Sequence, residues 1–414
     1  MSQQGPIRLI YVTASMPFGP GEEFLVTEAN ELLRQGSELL IVPRSPKGGL
    51  FNQDGAGLQQ FSLRRSLLSP AVLASAALEC LRHPRTTWRV WASLSSGRSV
   101  SVFAKNAAVL PKGLWLARVA RDWRADHVHA HWGRTTATMA MIASEATGIP
   151  WSLTLHRDDI AHPNLLATKM ERAAFTRFIS RSGMDIARRV GASGPPEKLC
   201  VIHMGVALPP GPAAEAPGNT GEPIVLCPAH LYPVKGHEHL IKAMGILKDR
   251  KVTCRLWIAG QGHLLSALNQ QVVDLGLSDR ISFLGQVPHE RILEWYRERR
   301  IDIVVLPSVD LGNNEHEGIP VALMEAMAHE IPVISTQTGG IPELIGGGAG
   351  SMVPPQDPEA LADALEALVV NPCLRSQIGL AGKQRVKEQF AVERTVAELV
   401  GRLRLAVRAD LLLG

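Results

Sequence analysis

At 414 residues, 45% hydrophobic and 20% charged, the chain is too long for one ordinary core and too apolar to be disordered. Its net charge of +4 comes with no dense Lys/Arg run, which argues against a nucleic-acid partner. Five scattered cysteines without a CxxC, no signal-peptide pattern in residues 1–6 and no bilayer-length apolar run point to a reducing cytoplasm.

In chain order, residues 7–12 read as a buried strand and 16–21 as a Pro/Gly loop. Residues 23–34 have helical spacing that stops near Gly36, and 39–42 form the next strand. Strand, glycine loop, helix and strand in that order open a parallel, doubly wound sheet. Residues 127–130, 151–155 and 177–180 read as later strands. In 51–121 the spacing of Phe61, Leu63, Leu67, Leu68, Val72 and Leu73, with Arg64 and Arg65, predicts an amphipathic helix, suited to core packing or to a membrane surface. A Pro/Gly/Ala-rich linker is expected over 208–222. Beyond it 224–227, 254–258, 281–284, 303–306 and 333–335 are short apolar strands between helical patterns. The expected layout is therefore a first domain at 1–207, a second at 223–390, and a helix at 391–414 packing back on the first domain. Two such α/β domains place the default ligand site in the cleft they face.

The strongest chemical signal runs Glu317-Gly318-Ile319-Pro320-Val321-Ala322-Leu323-Met324-Glu325, directly after the strand at 303–306 and a polar loop. Pro320 suits the first position of a helix, and Gly318 permits close backbone approach just before it. The free amides of that first turn and the positive end of the helix make an anion site fitted to a diphosphate. Glu317 before the helix and Glu325 inside it can hold hydroxyls at two separated points of one ligand. The competing interpretation is a capped amphipathic helix with two solvated glutamates. His129 and His131 form an H-x-H pair, read as pointing to opposite faces of its strand and lacking a third ligand at suitable spacing, so no metal site is expected.

The Glu317 to Glu325 stretch resembles the E-x7-E motif of the retaining GT4 glycosyltransferases, most nearly those of exopolysaccharide and colanic-acid type. The resemblance implies a GT-B fold, two Rossmann-like α/β domains facing a cleft. It places Glu325 on the nucleotide ribose and Glu317 on the donor sugar, with Gly318, Ile319 and Val321 on the diphosphate. Lys235, within Pro233-Val234-Lys235-Gly236, is similar to the family's phosphate-neutralising lysine. His230 stands where the family usually has arginine, in Ala229-His230-Leu231, and would be a weaker phosphate ligand. Leu153-Thr154-Leu155-His156-Arg157-Asp158-Asp159 is similar to the family's T-x-H-x-x-D segment, which brings His156 to the transferred sugar. Gly19 and Gly21 match the first glycine loop, and Gln286 and Val287 the base-reading turn after Gly285.

The activity thereby implied is retaining, metal-independent transfer of a sugar from a UDP- or GDP-sugar by same-face attack, with the leaving phosphate taking the acceptor proton. The nucleotide sugar is a substrate, and no cofactor is expected. The implied acceptor is a glycan, a polyprenyl-linked glycan or a small molecule, reached at the inner face of the membrane. The alternative is a catalytically silent nucleotide- or glycan-binding scaffold of the same fold. A nicotinamide dehydrogenase fits poorly, because the loop after the first strand lacks GxGxxG and no acid ends the second strand in the expected way.

Overall fold

The computed structural model describes residues 5–19, 21–50, 55–94, 99–192, 194–211, 221–312 and 315–413. The chain divides into two compact units, Met1–Gly205 with Val392–Gly414, and Val206–Ala391. Residues 212–220 of the expected linker, and Phe51, lie outside the described residues.

Among the described residues, the first unit holds strands β1 (Arg8–Thr13), β2 (Glu38–Pro43), β3 (His127–His131), β4 (Trp151–Leu155), β5 (Phe175–Phe178) and β6 (Leu199–Val201). They pair in parallel in the order β2-β1-β3-β4-β5-β6. Its helices are α1 (Phe24–Arg34), α2 (Pro70–Arg82), α3 (Pro84–Leu94), α4 (Val100–Asp122), α5 (Thr135–Thr147), α6 (Arg157–Ala161), α7 (Leu166–Arg172) and α8 (Arg181–Arg189). Leu9, Ile10, Tyr11 and Val12 are all fully buried, as a continuous apolar run must be when both faces of a parallel sheet are covered.

The second unit holds β7 (Ile224–Pro228), β8 (Arg255–Ala259), β9 (Ile281–Gly285), β10 (Ile303–Leu306), β11 (Val333–Thr336) and β12 (Ser351–Val353). These too are parallel, in the order β12-β11-β10-β7-β8-β9. Its helices are α9 (His237–Asp249), α10 (Leu265–Asp274), α11 (His289–Arg297), α12 (Val321–Ala328), α13 (Ile341–Ile345), α14 (Pro358–Val370) and α15 (Pro372–Gln389). A last helix, α16 (Val392–Leu413), belongs to the first unit and packs on α1, where the Gln35 side-chain amide donates to the Glu393 carbonyl at 2.8 Å.

The strand order reverses between β1 and β3 in the first unit and between β7 and β10 in the second. Loops at the carboxyl ends of such strands diverge and leave a crevice, the usual ligand position in open α/β sheets. No helix among the described residues is long and apolar enough to cross a membrane.

Two expectations are corrected here. The amphipathic helix expected across 61–73 does not form over 63–69. Ser69 is extended (ψ 148°) because Pro70 follows it, and α2 starts at that proline. The strand expected at 177–180 ends at Phe178, because Ser180 caps α8 by accepting from the Gly183 amide at 3.0 Å. The strands β6 and β12 were not anticipated. At three residues each they are too short to show periodicity.

Candidate functional site

In the second unit the loops after β7 and β10 meet across the break in strand order. After β7 the chain makes a single turn at Pro233–Lys235 and reverses at Gly236, in the left-handed region at φ 67°. A Cβ on Gly236 would lie 2.0 Å from the Pro307 carbonyl oxygen, so only glycine lets this turn settle against the end of β10. The Val309 amide then donates to the Val234 carbonyl at 2.9 Å and ties the two loops together. On this scaffold Lys235 Nζ forms an ion pair with Glu317 Oε2, both side chains about one-fifth exposed.

Pro320 is the N-cap of α12 (φ −73°, ψ 120°) and Val321 its first helical residue, which moves the proline one position outward from its expected place. The Leu323 and Met324 amides turn back to the Pro320 carbonyl at 3.2 and 3.3 Å. Among the described residues the amides of Gly318, Ile319 and Val321 donate to no protein acceptor. Three donors and the positive end of a helix thus stand beside the Lys235 ammonium. A Cβ on Gly318 would meet nothing within 4 Å, so the space in front of it is open. Behind it the segment is braced: a Cβ on Gly339 would fall 1.7 Å from the Glu317 carbonyl oxygen, and the Gly340 amide donates to the Gly318 carbonyl at 3.2 Å.

Glu325, one turn into α12, takes a hydrogen bond from His289 Nε2 at 2.7 Å. His289 opens α11 directly after the turn Gly285-Gln286-Val287-Pro288, so this turn and Glu325 lie together. Gln286 is exposed and Val287 half-buried, and a Cβ on Gly285 (φ 66°) would meet nothing within 4 Å. His230 is exposed on the loop after β7, its ring 5.8 Å from that of Tyr232. His237, buried at the start of α9, is pushed down to about 4 by burial and then by the Lys235 charge.

The first unit carries a different polar cluster at its own break in strand order. The Glu22 carboxylate accepts from the amides of Ala14, Ser15 and Met16 at 3.0, 2.6 and 2.7 Å and from the Trp132 indole. Gly19 (φ 90°) sits against its own chain, where a Cβ would lie 2.7 Å from the Lys47 carbonyl oxygen, whereas Gly21 faces open space. His131 ends β3, and its Nε2 lies 2.6 Å from Nε2 of His156, which follows β4. Burial pushes His156 down to about 3 and, helped by neighbouring positive charge, holds His131 well below its ordinary value.

The expectation that His129 and His131 point to opposite faces is corrected. Strand side chains alternate with a period of two, so residues two apart share a face. Both rings pack on Tyr11, at 5.6 and 6.1 Å. His129 is engaged on both nitrogens, by Ser152 Oγ at 2.7 Å and Thr154 Oγ1 at 2.9 Å.

The structure therefore gathers Lys235, Glu317, Gly318, Ile319 and Val321 in one place and Glu325 with the Gln286–Val287 turn in the same unit. His156, Gly19 and Gly21 belong to the other unit. His289 escaped sequence reasoning, although its place just after a parallel strand's carboxyl-end turn is where ligand-facing residues collect. Tyr11 and Arg177 also escaped, because only the folded sheet brings them to His131 and Glu28.

Comparison with known proteins gives concordant findings. The profile of glycosyl transferases group 1 matches residues 214–385. A glycosyltransferase assigned to colanic acid biosynthesis in Salmonella typhimurium is 32% identical over 298 residues, 69% of this chain and 72% of that one. The amylovoran biosynthesis glycosyltransferase of Erwinia amylovora is 35% identical over 214 residues, 50% of this chain and only 52% of that relative's length. Among solved structures Anabaena HepE, crystallised in complex with UDP and glucose, superposes with a TM-score of 0.69 at 18% identity, over 96% of this chain and 99% of that one. At that identity the likeness speaks to the fold.

Proposed function

The chain belongs to the glycosyltransferase group 1 family, with the GT-B fold, and from that premise we propose that it moves a sugar from a UDP- or GDP-sugar to a glycan hydroxyl in cell-surface polysaccharide assembly. One observation carries the donor assignment. A lysine–glutamate pair lies across the break in strand order beside three unpaired amides at the head of α12. A pyrophosphate is the ligand that uses all of it: the amides and the Lys235 ammonium take the anionic oxygens, and Glu317, released from Lys235, is free to accept from sugar hydroxyls. Glu325, held by His289, takes the ribose hydroxyls, and the Gln286–Val287 turn meets the base. UDP in the Anabaena structure and the polysaccharide roles of the relatives support this reading.

The chemical difficulty is departure of the diphosphate, on which negative charge grows as the sugar becomes oxocarbenium-like. Fixed amide dipoles and one ammonium oppose that charge without reorganising. On this reading no metal is needed, and EDTA is expected to leave the rate unchanged. Attack from the face that the diphosphate leaves, with its oxygen taking the acceptor proton, retains the anomeric configuration. The anomeric proton coupling of the product tests this, since an inverted product excludes same-face attack.

For the acceptor, we propose a polyprenyl-linked glycan met at the cytoplasmic membrane surface. The helices α2 to α4 expose Leu81, Trp88 and Val100, each at least 71% accessible, beside exposed Arg82, Arg85 and Arg89. Glu79 of α2 is buried on Arg121, so it does not offset those cations. Exposed apolar side chains with arginines near them in sequence suit an anionic lipid surface. Sedimentation with phosphatidylglycerol vesicles but not with phosphatidylcholine vesicles is the expected result.

The deciding experiment is nucleotide release by purified protein from a panel of UDP-, GDP- and ADP-sugars. Wild type is expected to consume a UDP- or GDP-sugar and Glu325→Ala to lose at least tenfold in rate. A Glu325→Ala protein as active as wild type removes the donor assignment, and no turnover of any donor favours the silent scaffold.

A further inference from the structure

We propose that Glu28, Tyr11 and His131 form a one-way hydrogen-bond wire that fixes the proton of His156 on Nε2 and leaves its Nδ1 a bare acceptor. The wire starts at Arg177 on β5, fully buried. Its Nε and one Nη donate to the Ile202 and His203 carbonyls at 2.8 and 2.7 Å, and the other Nη donates to Glu28 Oε2 at 2.7 Å. The remaining Glu28 oxygen lies 2.6 Å from the Tyr11 hydroxyl. A carboxylate only accepts, so Tyr11 spends its single proton on Glu28.

The direction of every later bond follows by counting protons. Tyr11 Oη also lies 3.0 Å from His131 Nδ1 and has no second hydrogen, so Nδ1–H of His131 must donate to it. A neutral imidazole carries one N–H, and burial keeps His131 neutral, so its Nε2 is bare. That bare nitrogen is 2.6 Å from His156 Nε2, a distance that needs one bridging hydrogen. It comes from His156. All four donors thus point inward, toward Glu28.

The packing removes the freedom to rearrange. His156 lies against Trp132 and Phe24, with ring centroids 4.3 and 5.6 Å away, and its backbone amide donates to Asp159 Oδ2 at 3.0 Å. His129 cannot substitute for His131, because Ser152 and Thr154 hold both its nitrogens. Glu28, Tyr11 and His131 are therefore positioning residues. Resting on the reading that His156 meets the transferred sugar, they keep it from donating to a sugar hydroxyl at Nδ1, and the His156 side chain in turn faces the Asp159 amide in a capping box.

The test is long-range nitrogen-15 NMR of the full chain labelled at histidine, without donor. Signals are assigned by their loss in His156→Gln and His131→Gln. The expected spectrum has His156 protonated at Nε2 and His131 at Nδ1. In Tyr11→Phe, His131 Nδ1–H loses its acceptor, and both tautomers are expected to reverse, with kcat falling about tenfold and KM changing less than twofold. Wild-type His156 protonated at Nδ1, or unchanged tautomers in Tyr11→Phe, would overturn the wire, and the wild-type spectrum decides even if Tyr11→Phe does not fold. The predicted tautomers with no donor consumed leave the wire standing and remove the transferase reading; donor turnover with the opposite tautomers does the reverse.

Discussion

Glu22 of the first unit and Glu317 of the second both reach across the break in strand order of their own sheet, but they are held differently. Glu22 is 4% exposed and takes three backbone amides and an indole, so its acceptor sites are occupied by the protein. Glu317 is half-buried with one charged partner, Lys235, and open space beside Gly318. A carboxylate that the fold has saturated holds a loop in place. One left with a single mobile cation has capacity for a ligand. The same contrast separates the histidines: those of β3 are engaged by strand neighbours, while His289 and His230 are accessible.

The largest effect that would break this comparison concerns Lys235. Lys235→Ala is expected to lower kcat about a hundred- to a thousand-fold, the cost of removing a fixed charge from a developing anion. The melting temperature should hardly move, because a partly exposed ion pair contributes about 0–1 kcal/mol. Steady-state kinetics and a thermal melt on the same sample check both halves. For Glu22→Gln the signs exchange. One amide-facing oxygen becomes an N–H donor, so buried donors lose their acceptor at about 3 kcal/mol. A denaturant midpoint shift, with activity per folded molecule close to wild type, is the expected outcome.

A pH series sharpens the comparison next. Burial pushes His127 and His156 down to about 3 and His129 and His131 well below their ordinary value. The unfolded chain, titrating at about 6.5, binds more protons than the native one below that pH. The histidine contribution to stability is therefore complete above about 6.5 and is lost as pH falls toward 3, by about 1.4 kcal/mol per pH unit for each histidine. Asp159, raised to about 7 by burial, works in the opposite direction between its unfolded value and 7 and offsets one of them. In the second unit His237, at about 4, has the same sign, and burial also lowers the half-buried His239 and His329. Hydrogen exchange at pH 7.5, 6 and 5 should show β3 and β4 losing protection before β7 and β10. Equal loss in both units would contradict the assignment.

The smallest effect is at Gly318. A methyl there meets no protein atom, so Gly318→Ala should leave the melting temperature unchanged while weakening diphosphate binding about threefold to tenfold by crowding the amides. At Gly236, by contrast, the Pro307 carbonyl stands 2.0 Å from any Cβ, so alanine there should destabilise the unit itself.

The same contrast explains what could be read before folding. Glu317, Gly318, Pro320 and Glu325 lie within nine residues, and a helix start converts that spacing directly into geometry. The apolar strand runs and glycine turns of both sheets, β6 and β12 apart, were legible for the same local reason. Tyr11, Glu28, His131 and Arg177 come from four separate elements and His156 from the loop after β4, and they meet only once the parallel order β1-β3-β4-β5 is set. No local period encodes that meeting. The helix expected over 61–73 failed on one residue, Pro70, whose effect on Ser69 outweighed the apolar spacing.

Calorimetric titration of UDP and GDP, each alongside its parent nucleoside, into wild type and Lys235→Ala tests the diphosphate grip most directly. The account predicts that one diphosphate binds wild type and loses at least tenfold in affinity with Lys235→Ala, while its nucleoside binds both proteins equally. Equal diphosphate affinity in the two proteins, or no diphosphate binding at all, would contradict it.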